Sequence, residues 1–314
     1  MRVIRGLPSS SDGPVALTIG NFDGVHRGHQ AMLSRLTEAA EDLALPSAVL
    51  TFDPPPREFF APGSAPPRVS SLRGKLELFS GLGVERTIVA RFDRQLAALT
   101  PDAFIEDVLV RRLGARWVLV GEDFRFGKGR AGDIATLRGA AKTFSVEAMR
   151  TVSVENERAS STAVRHALAA GNLDHAAAML GRPFTIAGRV AHGAKLGRTL
   201  GFPTANIRLP RPPPVSGVFV VRVHGLGGAP LPGVASVGVR PTIDEAGVPL
   251  LEVFIFDFDQ AIYGRRIAVE FLHKLRDEER LADLDALARR IRADAVDARA
   301  YFAHNEPAAE LASR

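Results

Sequence analysis

Val15-Ala16-Leu17-Thr18-Ile19-Gly20-Asn21-Phe22-Asp23-Gly24-Val25-His26-Arg27-Gly28-His29 is a short apolar run, a glycine-bearing turn, and then the first residues of a helix-period stretch. A strand that passes into a helix through such a turn sets two imidazoles beside the free N–H groups and positive dipole end of the helix. That is a ready anion site, suited to phosphate groups. Two histidines three apart are also compatible with metal ligation, but no further ligand of matching spacing stands nearby. The phosphate reading prevails.

Working outward, the first half alternates β-like runs with helical patterns. Strands are predicted at Val15–Ile19, Ser47–Phe52, Arg86–Ala90, Trp117–Gly121 and Ser145–Met149, with helices at Arg27–Leu43, Ser71–Leu82, Pro101–Leu113 and Asp133–Thr143. Thr100-Pro101 is a start signal, an N-cap followed by proline at the first helical position. Phe104, Ile105, Val108 and Leu109 then keep a 3.6-residue period. Strands alternating with helices argue for an α/β fold with a parallel sheet covered on both faces. Ligands of such sheets bind beyond the carboxyl ends of the strands.

After short helical stretches at Thr162–Ala170 and Leu173–Leu180 the texture changes. Phe184–Ala191, Val218–Val223, Val234–Val239, Leu251–Phe256 and Ile267–Leu275 are β-rich runs separated by Pro, Gly and Asp. They predict an antiparallel barrel or sandwich. A terminal amphipathic helix follows, carrying Leu284, Leu287, Ala288, Ile291 and Ala295 on one face. The boundary is expected near Gly181-Arg182-Pro183, giving domains 1–182 and 183–314. Proline-rich loops are expected around Pro54–Pro67 and Pro210–Pro214.

The 314 residues suit two domains, and 46% apolar with 24% charged residues is ordinary globular composition. Lys and Arg outnumber Asp and Glu by 40 to 35, a balance that suits a polyanionic ligand. The basic residues are spread out, so no nucleic-acid footprint is visible. There is no cysteine, which excludes disulfides, thiolate metal sites and cysteine nucleophiles. No apolar run approaches membrane-spanning length and the N-terminus lacks a signal-peptide core, so a cytoplasmic location without membrane association is expected.

His26-Arg27-Gly28-His29 resembles the HxGH signature of the nucleotidyltransferase superfamily, and with GNFDGVH before it the string is similar to that of bacterial bifunctional riboflavin kinase/FMN adenylyltransferases. Gly121-Glu122-Asp123-Phe124-Arg125-Phe126-Gly127 resembles that family's loop lining nucleotide and flavin. Arg158-Ala159-Ser160-Ser161-Thr162-Ala163-Val164-Arg165 resembles its SSTxxR segment, although by itself it reads as an ordinary helix cap. The pattern departs at Pro55, where the family commonly has histidine, and at Ala163, where a basic residue is frequent. Gly127-Lys128-Gly129-Arg130-Ala131-Gly132 formally matches GxGxxG. No acidic residue stands about 20 positions on at the end of a strand, so it reads as a basic loop near phosphates.

In the second half, Gly188 through Asn206 resembles the riboflavin kinase signature, with Gly193, Lys195, Gly197 and Arg198 in a glycine-rich loop and Pro203-Thr204-Ala205-Asn206 after it. Gly238-Val239-Arg240-Pro241-Thr242, Leu251-Glu252-Val253 and Phe256-Asp257-Phe258-Asp259 match the family's order, and Leu275-Arg276-Asp277-Glu278 resembles its flavin-covering segment. By alternation alone Glu252 reads as a solvent-facing strand residue, the commoner fate of a strand Glu, and the Arg276 segment reads nearly as well as a solvated charge run.

The resemblance implies a Rossmann-like nucleotidyltransferase domain with a parallel sheet, followed by an antiparallel β-barrel kinase domain with a terminal helix. It implies riboflavin phosphorylation to FMN and adenylylation of FMN to FAD, with ATP as co-substrate and Mg²⁺ as cofactor. The implied catalytic residues are Glu252 as base, with His26, His29 and Arg165 at the second reaction. Nucleotide and phosphate contacts fall to Gly20, Phe22, Asp23, Gly28, Arg158, Ser161 and Thr162 in one domain, and to Gly193, Lys195, Gly197, Arg198, Pro203, Thr204 and Asn206 in the other. Thr204 and Asn206 also supply the Mg²⁺ oxygens, and Asp123, Phe124, Phe126 and Arg276 face flavin. The expected partners are thus riboflavin, FMN, FAD and ATP, with no nucleic acid, and self-association is left open. Two other readings stay open: a riboflavin kinase whose N-terminal module is weak or altered in substrate, and an RNA-binding protein.

Overall fold

The computed structural model describes residues 1–140, 142–193, 201–239, 249–279 and 282–305. Two compact units divide the chain, Met1–Pro66 with Ser70–Ser161, and Pro67–Val69 with the residues from Thr162 onward.

The first unit runs β1 (Arg2–Arg5), β2 (Val15–Ile19), α1 (Arg27–Asp42), β3 (Ser47–Phe52), α2 (Pro56–Phe60), α3 (Leu72–Gly81), β4 (Arg86–Ala90) and α4 (Arg94–Ala98). One turn, α5 (Pro101–Ala103), leads into a π-helix at Phe104–Arg112. After it come β5 (Ala115–Gly121), α6 (Ile134–Ala140), β6 (Ser145–Met149) and the small hairpin β7 (Ser153–Val154) and β8 (Glu157–Arg158). The six long strands form one sheet in the order β1-β4-β3-β2-β5-β6. Every pairing in it is parallel.

All five residues of β2 are buried, as expected of a central parallel strand covered on both faces. Ala16 and Val49 face α1 and α3, where Leu33, Leu36 and Phe79 complete one core. Leu17 and Leu50 face the π-helix and α6, where Ile105, Leu109 and Leu137 complete the other. The strand order reverses between β2 and β5: the chain leaves β2 toward β3 on one side and β5 toward β6 on the other. Both loops that follow these strands therefore open at the crevice where such sheets bind ligands.

Several expectations need correction. Thr100 does cap the helix, its Oγ1 accepting from Ala103 N–H at 3.2 Å. Beyond Ala103, however, the winding is that of a π-helix and not of the 3.6-residue period, with Leu113 N–H reaching back to Val108 C=O. Phe104, Ile105, Val108 and Leu109 are still the buried set, because burial against the sheet selects that face under either winding. The stretch read as a proline-rich loop contains α2, with Pro56 at the first helical position where a missing N–H is harmless. The edge strand β1 carries only two apolar residues between arginines, too weak a pattern to read from sequence.

From the end of the first unit the chain runs through α7 (Ser161–Ala169) and α8 (Leu173–Leu180), then β9 (Thr185–Ala191), β10 (Thr204–Arg208), β11 (Gly217–His224), β12 (Leu231–Val239), β13 (Pro249–Ile255), β14 (Arg266–Arg276) and the long α9 (Leu284–Asn305). The six strands close into a barrel, β10-β13-β12-β11-β14-β9, with β9 pairing back onto β10. The neighbouring strands are antiparallel throughout. Closure leaves no open sheet edge, which settles barrel over sandwich. The strand β10 stands in the sequence only as a motif, because the alternation of Thr-Ala-Asn-Ile-Arg is short and carries a single large apolar residue, Ile207. Leu251, Val253, Phe219 and Phe271 are almost wholly buried along the barrel strands. Val218, Val220, Val234 and Phe256 form a separate cluster with Ala295 and Ala298 of α9. Two forked ion pairs fasten that helix, Arg276 to Asp294 at 2.8 and 2.7 Å and Arg299 to Asp257 at 2.9 Å twice.

Candidate functional site

Between β2 and α1 the chain makes a tight excursion: Phe22, Gly24 and Val25 all adopt positive φ. Phe22 and Val25 are nevertheless buried, so the non-glycine strain is held by packing. His26 then caps α1, its Nδ1 accepting from His29 N–H at 3.4 Å. The two imidazoles stack with ring centroids 3.6 Å apart, and Phe22 lies 5.0 Å from the His29 ring. Gly28 is there for room: a Cβ would sit 3.2 Å from the His26 ring and 3.5 Å from Ala159 C=O. At Gly20 a Cβ would press on the Phe22 ring at 3.0 Å.

His29 loses proton affinity, chiefly through burial and then through the charges of His26 and Lys75, so its imidazole is held neutral. Its Nδ1 is buried and has no hydrogen-bond partner among the described residues. A neutral donor at a helix N-terminus suits an oxyanion. Lys75 of α3 is buried too, and its ammonium donates to Asn21 C=O on the loop. No sequence reading singled it out, because one lysine in an amphipathic helix carries no local signal.

The other N-terminal candidates divide. Asp23 spends its carboxylate on Ser70, accepting from Ser70 N–H at 3.0 Å and from its hydroxyl at 3.3 Å. Ser161 donates its hydroxyl to Asp23 C=O at 2.8 Å, tying the SSTxxR segment to the loop. Asp123, after β5, pairs with Arg158 at 2.5 Å, so these two come together at an exposed position. Phe124 and Phe126 stack at 5.5 Å, with Phe126 buried. Thr162 is exposed, and Arg165 donates through Nε to Pro67 C=O at 2.8 Å. Phe52, Phe59, Phe60 and Phe92 form an edge-to-face aromatic cluster beyond the carboxyl ends of β3 and β4. Phe60 there is 67% exposed, an apolar ring open to a planar ligand that sequence reasoning passed over.

In the barrel, Glu252 alternates with the buried Leu251 and Val253 and so lies on the outer surface of the strand. It is half-buried, not free in solvent. Asn206 of β10 is its direct partner on one side and Ser236 of β12 on the other. Facing antiparallel residues hold their Cβ atoms about 4.5–5.5 Å apart, so these three form one polar row. Thr204 lies two residues along β10, its hydroxyl 3.5 Å from Asn206 Nδ2. Asn206 is itself buried, and its Oδ1 has no hydrogen-bond partner among the described residues. Gly193 packs against it so closely that a Cβ would meet the amide at 2.7 Å.

The family model for FAD synthetase matches residues 9–163, and that for riboflavin kinase matches residues 180–302. The bifunctional riboflavin kinase/FMN adenylyltransferase of Escherichia coli K12 is 48% identical over 98% of this chain and 100% of its own length. That of Haemophilus influenzae is 47% identical over 96% of this chain and 99% of its own. The chain belongs to this family. A crystal structure described as a macrolide-efflux protein from Streptococcus pneumoniae has the same fold, with a TM-score of 0.80 at 29% identity, over 97% of this chain and 99% of that one. Among the described residues no helix is long and apolar enough to cross a membrane.

As a riboflavin kinase/FMN adenylyltransferase, the chain couples two nucleotide-dependent reactions, with ATP as a substrate of both. Lys195, Gly197, Arg198 and the Arg240-Pro241-Thr242 segment lie outside the described residues. Pro203 is exposed just ahead of β10. Arg276 is held in the fork to Asp294, with Glu279 a further 3.4 Å away.

Proposed function

We propose that the two activities are divided between two domains, residues 1–182 and 183–314. In this reading riboflavin is phosphorylated at the Thr204, Asn206 and Glu252 row, and FMN is adenylylated at the His26/His29 helix terminus. The observation that carries the first assignment is the row itself: a carboxylate beside a buried amide oxygen that has no partner among the described residues. Oxygen donors of this kind fit a hard divalent cation, so Asn206 Oδ1 and the Thr204 hydroxyl would hold Mg²⁺ with ATP phosphates. Bound there, the ion would offset charge on the transferring phosphoryl group. Glu252 takes the proton from the attacking ribityl hydroxyl, and Gly193, Lys195, Gly197, Arg198 and Pro203 frame the phosphates. Positioning and charge do most of the work in phosphoryl transfer, so the base assists.

At the other site the FMN phosphate attacks the α-phosphorus of ATP in line and pyrophosphate leaves. The α1 N-terminus and neutral His29 offer donors to the departing charge, with His26 holding the His29 backbone in place. Arg158, Ser161, Thr162 and Arg165 serve the phosphates, and Gly20, Phe22, Asp23 and Gly28 shape the loop around them. Asp123, Phe124 and Phe126 line the flavin side, joined by the exposed ring of Phe60. Arg276 acts on flavin through the loop it anchors. Localisation in the cytoplasm fits these soluble substrates, and no nucleic-acid or membrane partner is invoked.

The test is a pair of variants assayed by chromatographic separation of the flavins. Glu252→Gln is expected to abolish FMN formation and leave FMN-to-FAD conversion intact, and His29→Ala to do the reverse. Equal loss of both activities in either variant would contradict the division.

A further inference from the structure

The outer row of the barrel does not stop at Ser236. Ser236 faces Val218 of β11, and Val218 in turn faces Arg276, the last residue of β14. Asn206, Glu252, Ser236, Val218 and Arg276 thus stand side by side across five strands. Two residues past Arg276, Glu278 reaches back across β11 to β12, where its carboxylate accepts from the Ser236 hydroxyl at 2.9 Å. Two glycines make room for that crossing. Gly217 of β11 sits in the left-handed region at φ 116°, and a side chain there would strike the Arg276 C=O. Gly238 lies on the same face of β12 as Ser236, and the three atoms nearest a Cβ added there all belong to the Glu278 carboxylate. The neighbours Asp277 and Glu279 are engaged elsewhere, with Lys274 at 2.6 Å and Arg290 at 2.8 Å.

We propose that Ser236 and Glu278 are positioning residues for riboflavin phosphorylation, a clasp that seats the 276–279 segment on the riboflavin side of Glu252. The inference rests on the assignment of that reaction to the Thr204, Asn206 and Glu252 row. The attacking and leaving oxygens of a phosphoryl transfer stand roughly in line, on opposite sides of phosphorus. With ATP phosphates at Thr204 and Asn206, on one side of Glu252, the ribityl hydroxyl comes from the other side, where Ser236 stands. The rest of riboflavin then lies along the outer row, against the segment that Glu278 pins. Pinning that segment before substrate arrives removes an ordering cost from binding, and riboflavin feels it while ATP does not.

The experiment uses the full chain with Glu278→Ala, Glu278→Gln, Ser236→Ala and Gly238→Ala, and follows FMN formation with riboflavin and ATP varied in turn. In Gly238→Ala the new Cβ evicts the carboxylate, the free end of an exposed side chain, without altering Glu278 itself. The three alanine variants are expected to raise the riboflavin KM about five- to tenfold, the worth of one charge-assisted hydrogen bond, and to leave the ATP KM within about twofold. Glu278→Gln, whose amide oxygen still accepts from Ser236, should recover most of that affinity. The Ser236→Ala/Glu278→Ala double variant should be no worse than either single one, because both act through one contact. An unchanged riboflavin KM in Glu278→Ala would overturn the proposal, as would Glu278→Gln no better than Glu278→Ala. So would a parallel rise of both KM values with a drop in melting temperature, which marks a purely structural contact. Run alongside, Glu252→Gln tests the underlying assignment: phosphorylation intact in that variant means the row reading fails, independently of the clasp.

Discussion

Gly193→Ala is the sharpest probe of the barrel site. The added Cβ would stand 2.7 Å from Asn206 Cγ and Nδ2 and 2.8 Å from its Oδ1. Gly193 does not occupy the left-handed region, so alanine meets no backbone strain and the whole effect is the collision. Ordinary van der Waals contact begins near 3.4 Å, so the amide must retreat by about 0.7 Å. Asn206 is 6% exposed, and its Nδ2 donates to Thr204 C=O at 3.2 Å, which leaves no easy escape into solvent. A site must be held to within roughly 0.5 Å, and a misplacement of about 1 Å costs on the order of 100-fold in rate. FMN formation from riboflavin should therefore fall about 30- to 100-fold, while FMN-to-FAD conversion stays at the parent rate. The assay is the flavin separation described above, run with riboflavin or FMN as starting material. A double variant with Asn206→Ala should be no worse than Asn206→Ala alone, because both changes act through one side chain. Parent-level phosphorylation in Gly193→Ala would refute the reasoning, as would a double variant about tenfold below Asn206→Ala.

Two further outcomes follow from charge. Asp294→Ala leaves Arg276, 16% exposed at its side chain, without its forked partner in the barrel-to-α9 joint. Breaking such a pair costs about 3 kcal/mol, so urea denaturation of the second unit should shift by that amount. A change under about 1 kcal/mol would count against the fork as the fastening of α9. His29, held neutral when folded, keeps its ordinary affinity near 6.5 only when unfolded. As pH falls below that value the unfolded chain takes up a proton that the native site refuses, so stability declines by about 1.4 kcal/mol per pH unit until the depressed native pKa is reached. Melting curves from pH 8 to 5 should show this slope in the parent and lose it in His29→Gln.

The chain's own pattern carried much of this. Central strands were legible because fully buried parallel strands are apolar runs, and the strand, turn and helix of Val15–His29 were legible as such. The elements that escaped lack such a pattern. Arginine-flanked β1 and short β10, with Ile207 its one large apolar residue, are strands only because neighbours supply their hydrogen bonds, and the π-winding of 104–112 leaves the same residues buried as a regular helix would. Glu252 was undecidable from alternation, since an outward residue on a strand can face water or a neighbouring strand's side chain.

Sequence alone determined that strands alternate with helices in the first half and that β-rich runs fill the second, because local periodicity, turn chemistry and glycine placement are written residue by residue. Only the tertiary structure decided that the loops after β2 and β5 meet where the strand order reverses. It alone set Asn206, Glu252 and Ser236 in one row across three strands. And only there does Lys75, from a separate helix, reach the loop that carries Phe22 and His26. Each of these contacts joins residues far apart along the chain, and pairing register and core packing, which no local pattern encodes, bring them together.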